Sequence, residues 1–446
     1  MAVIELGTLG AGGDLPASGR ARRYPRVPVR RVAAVLVTVL CLATVHASAV
    51  PRARGLTGTW SMAFAAGDAF EPSGGNVVVL RDGSPQVLAA YALATGTPRW
   101  SFPVPYPVTA LTPVDSAGVL LLPAQARSVG IRTAAGDVLW AHYSTLVVAL
   151  DANTGRELWR AAGDVALTTA DGVLLAEHEP DGLGARTLRL VGLRDGATRW
   201  SRDGRGAYRW ATVGGGVGRP DTLVTATPEG DLRVYRFADG AVRTAARVPW
   251  RAGSLSDAAY SDIAGHGDLL YVFTASPEGT TATAYAPGTL RRLWSVTAEA
   301  GAGPSACGAV LCLPTGNGLA ARDWRTGAEL WRVAGYDLGR PLAGHLLLVG
   351  GEDAGRAVVD DRTGRILADL GAGGVAWAPD GGIVVTLVPT RSPPDRIAVG
   401  RLDPRTGEEF LLGTVDPVVN SFWCRVSGVR LACTTPRSRL IVTDVG

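Results

Sequence analysis

ALDANTGRELW, residues 149–159, is the stretch from which the fold follows. An apolar strand pattern precedes Asp151, a turn at Thr154 and Gly155 follows it, and a polar–apolar alternation ends in Trp159. Glycine supplies the positive φ that a tight turn requires, and Asp and Thr side chains can bond the exposed turn backbone. The stretch therefore predicts a strand, a tight turn and a second strand.

The same phrase returns as ARDWRTGAELW, residues 321–331, which keeps Asp323, Thr326, Gly327 and Trp331 in register. Looser copies have their turns or closing tryptophans at Trp100, Trp200, Gly240, Trp294, Gly364 and Gly407. Most successive turn glycines are roughly 37 to 48 residues apart, a spacing that suits the four short strands of a propeller blade. These copies indicate a repeat protein.

The segments between the turns favour strands over helices. Their apolar runs are short, rich in Val, Leu, Thr and Tyr, and broken by Gly and Pro. No apolar period of 3.6 is sustained after residue 60, which excludes a helical solenoid. We therefore expect an all-β fold, a β-propeller of four-stranded blades preceded by one N-terminal transmembrane helix.

The two ends of the repeat region complement each other. TWSMAF, residues 59–64, resembles the last strand of a blade, with Trp60 at the position of the later tryptophans. The C-terminal stretches SFWCRV, VRLACTT and RLIVTDV predict only three strands, so joining the two ends would close the ring and remove its open edges. Nine repeat-like units result. Because rings of seven or eight blades are commoner, we expect eight full blades, with nine as the alternative.

The chain ahead of the repeats contains a candidate membrane segment. Residues 1–31 are rich in Arg, Gly and Pro and predict a disordered cytoplasmic tail. Residues 32–50 carry no formal charge apart from a possible one on His46 and are long enough to span a bilayer core. The positive-inside rule then predicts a single-pass cell-membrane protein whose propeller, residues 55–446, is extracellular. Secretion after cleavage near Ala49 is the alternative.

The charge distribution argues against nucleic-acid binding. The formal net charge is +4, and residues 1–31 alone hold six Arg against Glu5 and Asp14. The rest of the chain therefore sums to about zero and has no basic footprint for a nucleic acid.

Four cysteines of the propeller region come as two pairs. Cys307 and Cys312 flank one predicted hairpin, and Cys424 and Cys433 flank another. Paired strands around a loop would bring each couple opposite one another at a separation that a disulfide accepts, and outside the cytoplasm we expect them to be oxidised. Their spacings are not those of a zinc site and no His lies near them in sequence, so no metal site is predicted.

Two segments exceed the length of an ordinary hairpin loop. One is residues 388–396, in the eighth blade. The other, roughly Gln125–Tyr143 in the second blade, holds the candidate partner-surface residues Arg127, Arg132, Trp140, His142 and Tyr143. Long loops on a rigid scaffold are where partner surfaces tend to lie, although an inert elaborated hairpin fits equally well. Exposed Trp140 and Tyr143 beside Arg would suit a protein interface.

The two best copies resemble the PQQ-type propeller repeat, A-x-D-x-x-T-G-x-x-x-W, and the likeness extends with decay from about Trp60 to Gly446. The resemblance implies that the repeat tryptophans dock on neighbouring sheet, a role that falls to Trp100, Trp159, Trp200, Trp294 and Trp331, with Trp60 in the same place in the closing blade. Blades with Thr244, Ala368 or Leu411 at this position, or with Ala92 or Gly192 at the Asp position, are expected to dock less tightly. An Arg-rich tail, one span and such a propeller are similar to membrane proteins of actinobacteria.

This repeat occurs in two kinds of protein. Quinoprotein dehydrogenases hold PQQ and Ca²⁺ on the propeller axis, whereas others are non-catalytic, like the lipoprotein that assists β-barrel assembly in Gram-negative outer membranes. The dehydrogenases typically pack PQQ against a disulfide between adjacent cysteines, and this sequence has no Cys-Cys. Acidic residues such as Asp151 and Asp323 sit in turns, where bonding the turn backbone explains them. We therefore expect no cofactor.

No catalytic motif stands out in the sequence. The five His are scattered singly, and no G-x-S-x-G nucleophile elbow is present. We therefore expect a membrane-tethered, extracytoplasmic, non-catalytic scaffold for protein interaction or assembly, with an unidentified protein partner. A small-ligand sensor at the propeller mouth and a PQQ-dependent dehydrogenase are the alternatives.

Overall fold

The computed structural model describes residues 56, 59–132, 138–180, 184–216, 218–253, 259–299, 303–350, 355–378 and 382–446. The predicted cytoplasmic tail and the predicted membrane segment lie outside these residues. In the described ranges no helix is long and apolar enough to cross a membrane. The helices found there are two 3-10 turns, Asp115–Ala117 and Ser421–Trp423.

The strands of the described ranges form nine four-stranded antiparallel sheets, the blades of a β-propeller. This confirms the all-β fold and the four-stranded blade. The expectation of eight full blades is wrong, because each of the nine repeat-like units has all four strands. Backbone pairing and apolar alternation are sufficient to build a blade even where the repeat Trp is replaced.

Blades are numbered in chain order, after a first strand β1 (Trp60–Ala63) that belongs to the last blade. Blade 1 contains β2 (Ala69–Ser73), β3 (Asn76–Arg81), β4 (Val87–Ala92) and β5 (Pro98–Pro103). Blade 2 contains β6 (Thr112–Val114), β7 (Val119–Arg132), β8 (Val138–Asp151) and β9 (Glu157–Ala162). Blade 3 contains β10 (Asp164–Thr168), β11 (Gly172–His178), β12 (Ala185–Gly192) and β13 (Thr198–Ala207).

The next three blades follow the same order. Blade 4 contains β14 (Arg209–Val213), β15 (Thr222–Ala226), β16 (Asp231–Arg236) and β17 (Val242–Arg247). Blade 5 contains β18 (Tyr260–His266), β19 (Leu269–Ser276), β20 (Gly279–Ala286) and β21 (Arg291–Ala298). Blade 6 contains β22 (Ser305–Cys307), β23 (Val310–Thr315), β24 (Gly318–Arg322) and β25 (Glu329–Ala334).

The last three blades end with the closing one. Blade 7 contains β26 (Leu338–Leu342), β27 (His345–Val349), β28 (Gly355–Asp360) and β29 (Ile366–Ala372). Blade 8 contains β30 (Gly374–Trp377), β31 (Val384–Pro389), β32 (Ile397–Leu402) and β33 (Glu409–Val415). Blade 9 contains β34 (Arg425–Ser427), β35 (Arg430–Thr435), β36 (Arg439–Asp444) and, as its fourth strand, β1.

The two ends of the ring are joined inside blade 9. Strand β1 pairs antiparallel with β36, with Trp60 opposite Val442 and Ala63 opposite Arg439. Thr59 Oγ1 and Thr443 Oγ1 share a further hydrogen bond of 2.8 Å. The N-terminal strand therefore covers an edge of β36 that would otherwise be open.

Neighbouring blades dock through the fourth-strand tryptophan of one and the turn glycine of the next. A Cβ built on the glycine would lie 2.6 to 2.8 Å from the indole in each of the pairs Trp60–Gly96, Trp100–Gly155, Trp159–Gly196, Trp200–Gly240, Trp294–Gly327 and Trp331–Gly364. At Gly407 the neighbour is instead Ala368, at 3.3 Å. Only glycine leaves room for the ring at these turns, where φ is also positive.

Apolar side chains fill the spaces between blades. One cluster joins Val78 and Leu88 of blade 1 to Leu120 and Leu150 of blade 2, and each of these four side chains is at most 2% exposed. The core is therefore a series of interfaces between sheets rather than one central cluster.

Both predicted disulfides are confirmed. Cys307 and Cys312 stand diagonally across β22 and β23 rather than directly opposite as expected, because a two-residue turn places Val310 opposite Cys307. Cys424 and Cys433 lie opposite one another beside the pair of β34 and β35. A Cβ on Gly339 of blade 7 would lie 2.8 Å from Cys307 Sγ, so the first disulfide packs into the interface between blades 6 and 7.

The connections divide between two faces of the ring, because successive strands of a blade run antiparallel. One face, called the turn face, carries the connections between third and fourth strands. The other, called the insertion face, carries the connections between second and third strands and those from one blade to the next. Both of the long segments predicted from the sequence, near residues 125–143 and 388–396, lie on the insertion face.

Candidate functional site

Blade 2 carries a two-stranded arm on the insertion face. Strands β7 and β8 pair along their whole length, to Arg132 opposite Val138, whereas β9 pairs with β8 only as far as Leu146. Residues 125–132 and 138–145, called the arm below, therefore extend beyond the blade. Among the described residues no third strand joins them.

Tyr143 fixes the base of the arm to blade 3. Its ring stacks on His178 with 4.3 Å between ring centroids, and its hydroxyl donates to the Glu179 carbonyl at 3.2 Å. Tyr143 is only 7% exposed. The expectation that Tyr143 is exposed to a partner is therefore wrong, since its ring anchors the arm instead.

Asp164, the first residue of blade 3, is a second anchor. Its carboxylate accepts hydrogen bonds from the backbone N–H and the hydroxyl of Ser144, at the base of the arm. Burial nevertheless raises the pKa of Asp164 above its ordinary value of 3.8, against these bonds and the nearby His178. The junction between arm and blade is thus a partly desolvated acidic site.

Beyond this base the arm presents an aromatic surface. Trp140 is 60% exposed, and its ring lies across Gly130 directly opposite in β7, where a Cβ would stand 3.1 Å away. His142 is exposed, and its Nδ1 shares a 2.8 Å hydrogen bond with Ser128 Oγ. Because side chains alternate across a ribbon, Trp140 and His142 lie on one side of the arm.

The two arginines predicted for this surface are placed differently. Arg127 is exposed but pairs with Tyr143, so it belongs to the opposite side of the ribbon from Trp140. Arg132 ends β7, and its side chain lies outside the described residues. Of the five predicted residues, the structure brings Trp140 and His142 together on one exposed side.

A second exposed apolar surface lies between blades 8 and 9. Val419, Phe422 and Trp423, called the ridge, are 57%, 62% and 61% exposed. The Asn420 side chain accepts from the Phe422 N–H at 2.9 Å and so caps a 3-10 turn. SFWCRV was expected to be a strand, but pairing begins only at Arg425 because the capped turn precedes it.

Two grooves flank the ridge and share Val419 as a lining residue. The aromatic groove, of about 610 Å³, lies towards blade 1 and is lined by Phe64, Phe70 and Trp423 among others. The basic groove, of about 830 Å³, lies over blades 7 and 8 and reaches Phe422 and Arg391. The sequence gives no separate sign of either groove, because their walls come from segments far apart in the chain.

An ion pair lies in the lining of the aromatic groove. Arg425 Nε donates to both carboxylate oxygens of Glu71, at 2.9 and 3.0 Å. Burial raises the pKa of Glu71, and Arg425 opposes that effect. This carboxylate is already paired, so it is a structural contact between blades 9 and 1.

The predicted turn residues lie on the turn face, away from these surfaces. Asp151 Oδ1 accepts from the Asn153 N–H, the Thr154 N–H and the Thr154 hydroxyl at 3.0 to 3.2 Å. Asp323 and Asp360 make the same three bonds in blades 6 and 7. Hydrogen bonds from the Thr hydroxyl and the N–H groups of each turn lower the pKa values of these three carboxylates, and at Asp151 they outweigh the opposing effect of burial.

The described residues lack the two features that the resemblance associates with PQQ and Ca²⁺. Each disulfide joins cysteines that are apart in sequence, and all four cysteines are buried between blades at 0 to 6% exposure. Neither therefore offers a surface against which a quinone ring can stack. In the described ranges no group of three or more His, Cys, Asp or Glu side chains is placed to hold a metal ion.

Comparison with known proteins agrees with this fold. The family model described as outer membrane protein assembly factor BamB matches residues 124–315, less than half of the chain. The crystal structure of a eukaryotic initiation factor is 13% identical, covers 81% of this chain and 90% of its own, and has a TM-score of 0.50. At this identity the likeness shows the fold alone. No match was found among curated proteins.

Two further solved structures are similar at lower TM-scores. BamB from Moraxella catarrhalis is 14% identical over 87% of this chain and 99% of its own, with a TM-score of 0.45. The computationally designed Ika8 protein is 15% identical over 76% of this chain and 96% of its own, with a TM-score of 0.42.

Proposed function

Because the chain is a β-propeller of PQQ-like repeats, we propose that it is a non-catalytic scaffold for protein interaction or assembly. In this proposal residues 32–50 tether the protein to the membrane, and the propeller acts outside the cytoplasm. The family description that matches residues 124–315 names an assembly factor, which supports a role of this kind.

The exposed arm is the observation that carries the proposal. A Trp that is 60% exposed, on a ribbon whose base is held by Tyr143 and Asp164, is a positioned aromatic contact rather than a loose loop. Aromatic side chains of this kind are enriched at the energetic centres of protein interfaces. The ridge adds a second apolar surface on the same face.

A pull-down from detergent-solubilised membranes tests the proposal. Full-length protein should retain a partner that is lost when Trp140→Ser and Val138→Ser are combined, since Val138 is 42% exposed beside Trp140. The same pair of changes should leave the melting temperature nearly unaltered. Equal recovery of every co-purifying protein by both forms would contradict a partner site on the arm.

Isothermal titration with PQQ and Ca²⁺ tests the non-catalytic part of the proposal. We expect no saturable heat from either ligand.

The tether is tested by adding protease to intact cells, which should digest residues 60–446. Protection of the propeller would contradict the extracytoplasmic location.

A further inference from the structure

The described lining of the basic groove includes a cation. Its described lining residues include Arg391 and no Asp or Glu. Arg391 is exposed in the connection between β31 and β32. Arg340 lies over the ring of Trp377, a lining residue, at 4.7 Å. Arg391 is therefore a lining cation, and Arg340 lies next to a lining ring, with no carboxylate among the described lining residues.

A third cation lies beneath the floor of this groove. Arg356 is 0% exposed and donates to the carbonyls of Leu370 at 2.7 Å, Gly371 at 3.2 Å, Gly374 at 3.3 Å and Ala372 at 3.4 Å. Among the described residues its hydrogen-bond partners are carbonyls and not carboxylates. Glu409, which favours its charge from a distance, accepts from the Thr386 hydroxyl.

The buried cation acts on the groove through a thin floor. Gly373 lines the groove, and a Cβ built on it would lie 3.3 Å from Arg356 Cζ. Only backbone thus separates the guanidinium from the groove. Because the described hydrogen bonds of this guanidinium go to carbonyl dipoles and none goes to Glu409, its charge keeps an attractive field for an anion.

The apolar walls set the second requirement for a ligand. Leu338, Val349, Leu387, Ile397 and Val418 line the groove, and Phe422 of the ridge stands at its border. Because the basic and aromatic grooves meet at Val419, the apolar path runs on over the ridge towards blade 1. Such a path suits an extended chain, whose alternate side chains meet one surface.

We propose that the basic groove and the ridge bind an extended acidic peptide segment of the partner protein, with apolar side chains on the groove walls and carboxylates at Arg391 and Arg340. This inference rests on the proposed scaffold function and adds the chemistry of the segment bound. The arm and the groove are separate surfaces. Loss of peptide binding with an intact arm-dependent pull-down would therefore overturn the groove assignment alone.

Fluorescence anisotropy with two peptides tests the assignment on the full-length protein. The probes are a fluorescein-labelled octapeptide that alternates Leu with Glu and its counterpart that alternates Leu with Lys. We expect saturable binding of the acidic peptide only. Arg391→Glu should weaken that binding by about tenfold or more, since a rim charge is reversed, and should improve binding of the Lys peptide.

Arg362→Glu is the matched control, because Arg362 is exposed on the turn face of blade 7 and the net charge changes equally. Phe422→Ala should weaken binding of the acidic peptide without reversing the preference for the acidic over the basic peptide. The proposal is overturned if the acidic peptide does not bind, if both peptides bind alike, or if Arg362→Glu has the effect of Arg391→Glu.

Discussion

Trp60, at the start of the described propeller, lies on Gly96, the turn glycine of blade 1. A Cβ on Gly96 would be 2.7 Å from the indole ring, and Trp60 Nε1 donates to the Leu93 carbonyl at 3.0 Å. Since Trp60 belongs to blade 9, this contact joins the last blade to the first. The ring is therefore closed by strand pairing and also by an indole docked across the junction.

Trp60→Ala should destabilise the propeller much more than Trp140→Ala. Loss of a packed indole and of its hydrogen bond should cost about 3 kcal/mol, near the lower end for Trp→Ala because Trp60 is half-buried. Trp140 touches mainly Gly130 and solvent, so its truncation should cost less than about 0.5 kcal/mol. Thermal unfolding measures both, and equal shifts of the midpoint would show that Trp60 does not hold the ring closed.

Gly364→Ala should be more destabilising than Gly407→Ala. Both glycines have positive φ, 68° and 75°, so the backbone strain of a new Cβ is nearly the same. At Gly364, however, the Cβ would lie 2.6 Å from Trp331, whereas at Gly407 it would lie 3.3 Å from Ala368. Overpacking against the indole should add about 1 to 3 kcal/mol. Indistinguishable unfolding curves would refute the docking role of the turn glycine.

The indole hydrogen bonds predict a difference between two similar substitutions. Trp159 Nε1 donates to the Leu193 carbonyl at 2.7 Å, but Trp100 Nε1 has no partner among the described residues. The equivalent carbonyl, that of Ala152, accepts from Asn76 instead. Trp159→Phe should therefore cost about 1 kcal/mol more than Trp100→Phe. Denaturant titration decides this, and a larger loss for Trp100→Phe would contradict it.

How far the sequence predicts this molecule depends on whether a feature repeats. The turn glycines and tryptophans recur at a fixed distance, so their pattern indicates the blades and the closing strand. The predicted number of blades is wrong because a blade that has Thr244 or Ala368 in place of the repeat Trp still pairs its four strands. The sequence of such a blade matches the repeat pattern poorly, although its backbone hydrogen bonds between strands are complete.

Single features were harder to predict because they depend on tertiary contacts. Tyr143 resembles an exposed interface residue in sequence, but His178 and Glu179, from the next blade, enclose it. The ridge resembles a strand, and only the Asn420 cap turns it into an exposed bend. Arg356 stands in an ordinary third-strand pattern, and its role depends on carbonyls at the end of β29 and at the start of β30.

The anchor of the arm should respond to pH. Burial raises the pKa of Asp164, so the folded state holds this proton to higher pH than the unfolded state does. Its contribution to stability is therefore full below about pH 4, its unfolded pKa, and is lost as pH rises through the folded pKa. The stability of the Asp164→Asn variant relative to wild type should therefore be higher at pH 7 than at pH 4.

Asp360→Asn is a control for which stability relative to wild type should change with pH in the opposite direction. Hydrogen bonds from the Thr363 side chain and backbone lower the pKa of Asp360, so its contribution is present above the unfolded pKa and lost as pH falls. The stability of this variant relative to wild type should therefore be lower at pH 7 than at pH 4. Melting temperatures at both pH values give the comparison. If the relative stability of both variants changed in the same direction between pH 4 and pH 7, the assigned pKa directions would be contradicted.

The claim that the arm binds a protein partner outside the cytoplasm is tested most directly by photocrosslinking in intact cells. A benzophenone amino acid is placed at position 140 of the full-length protein and, as a control, at position 362 on the turn face. We predict one discrete adduct at position 140 that protease added outside the cells can remove, and none of that size at position 362. Identical adducts at both positions, or no adduct at position 140, would contradict the account.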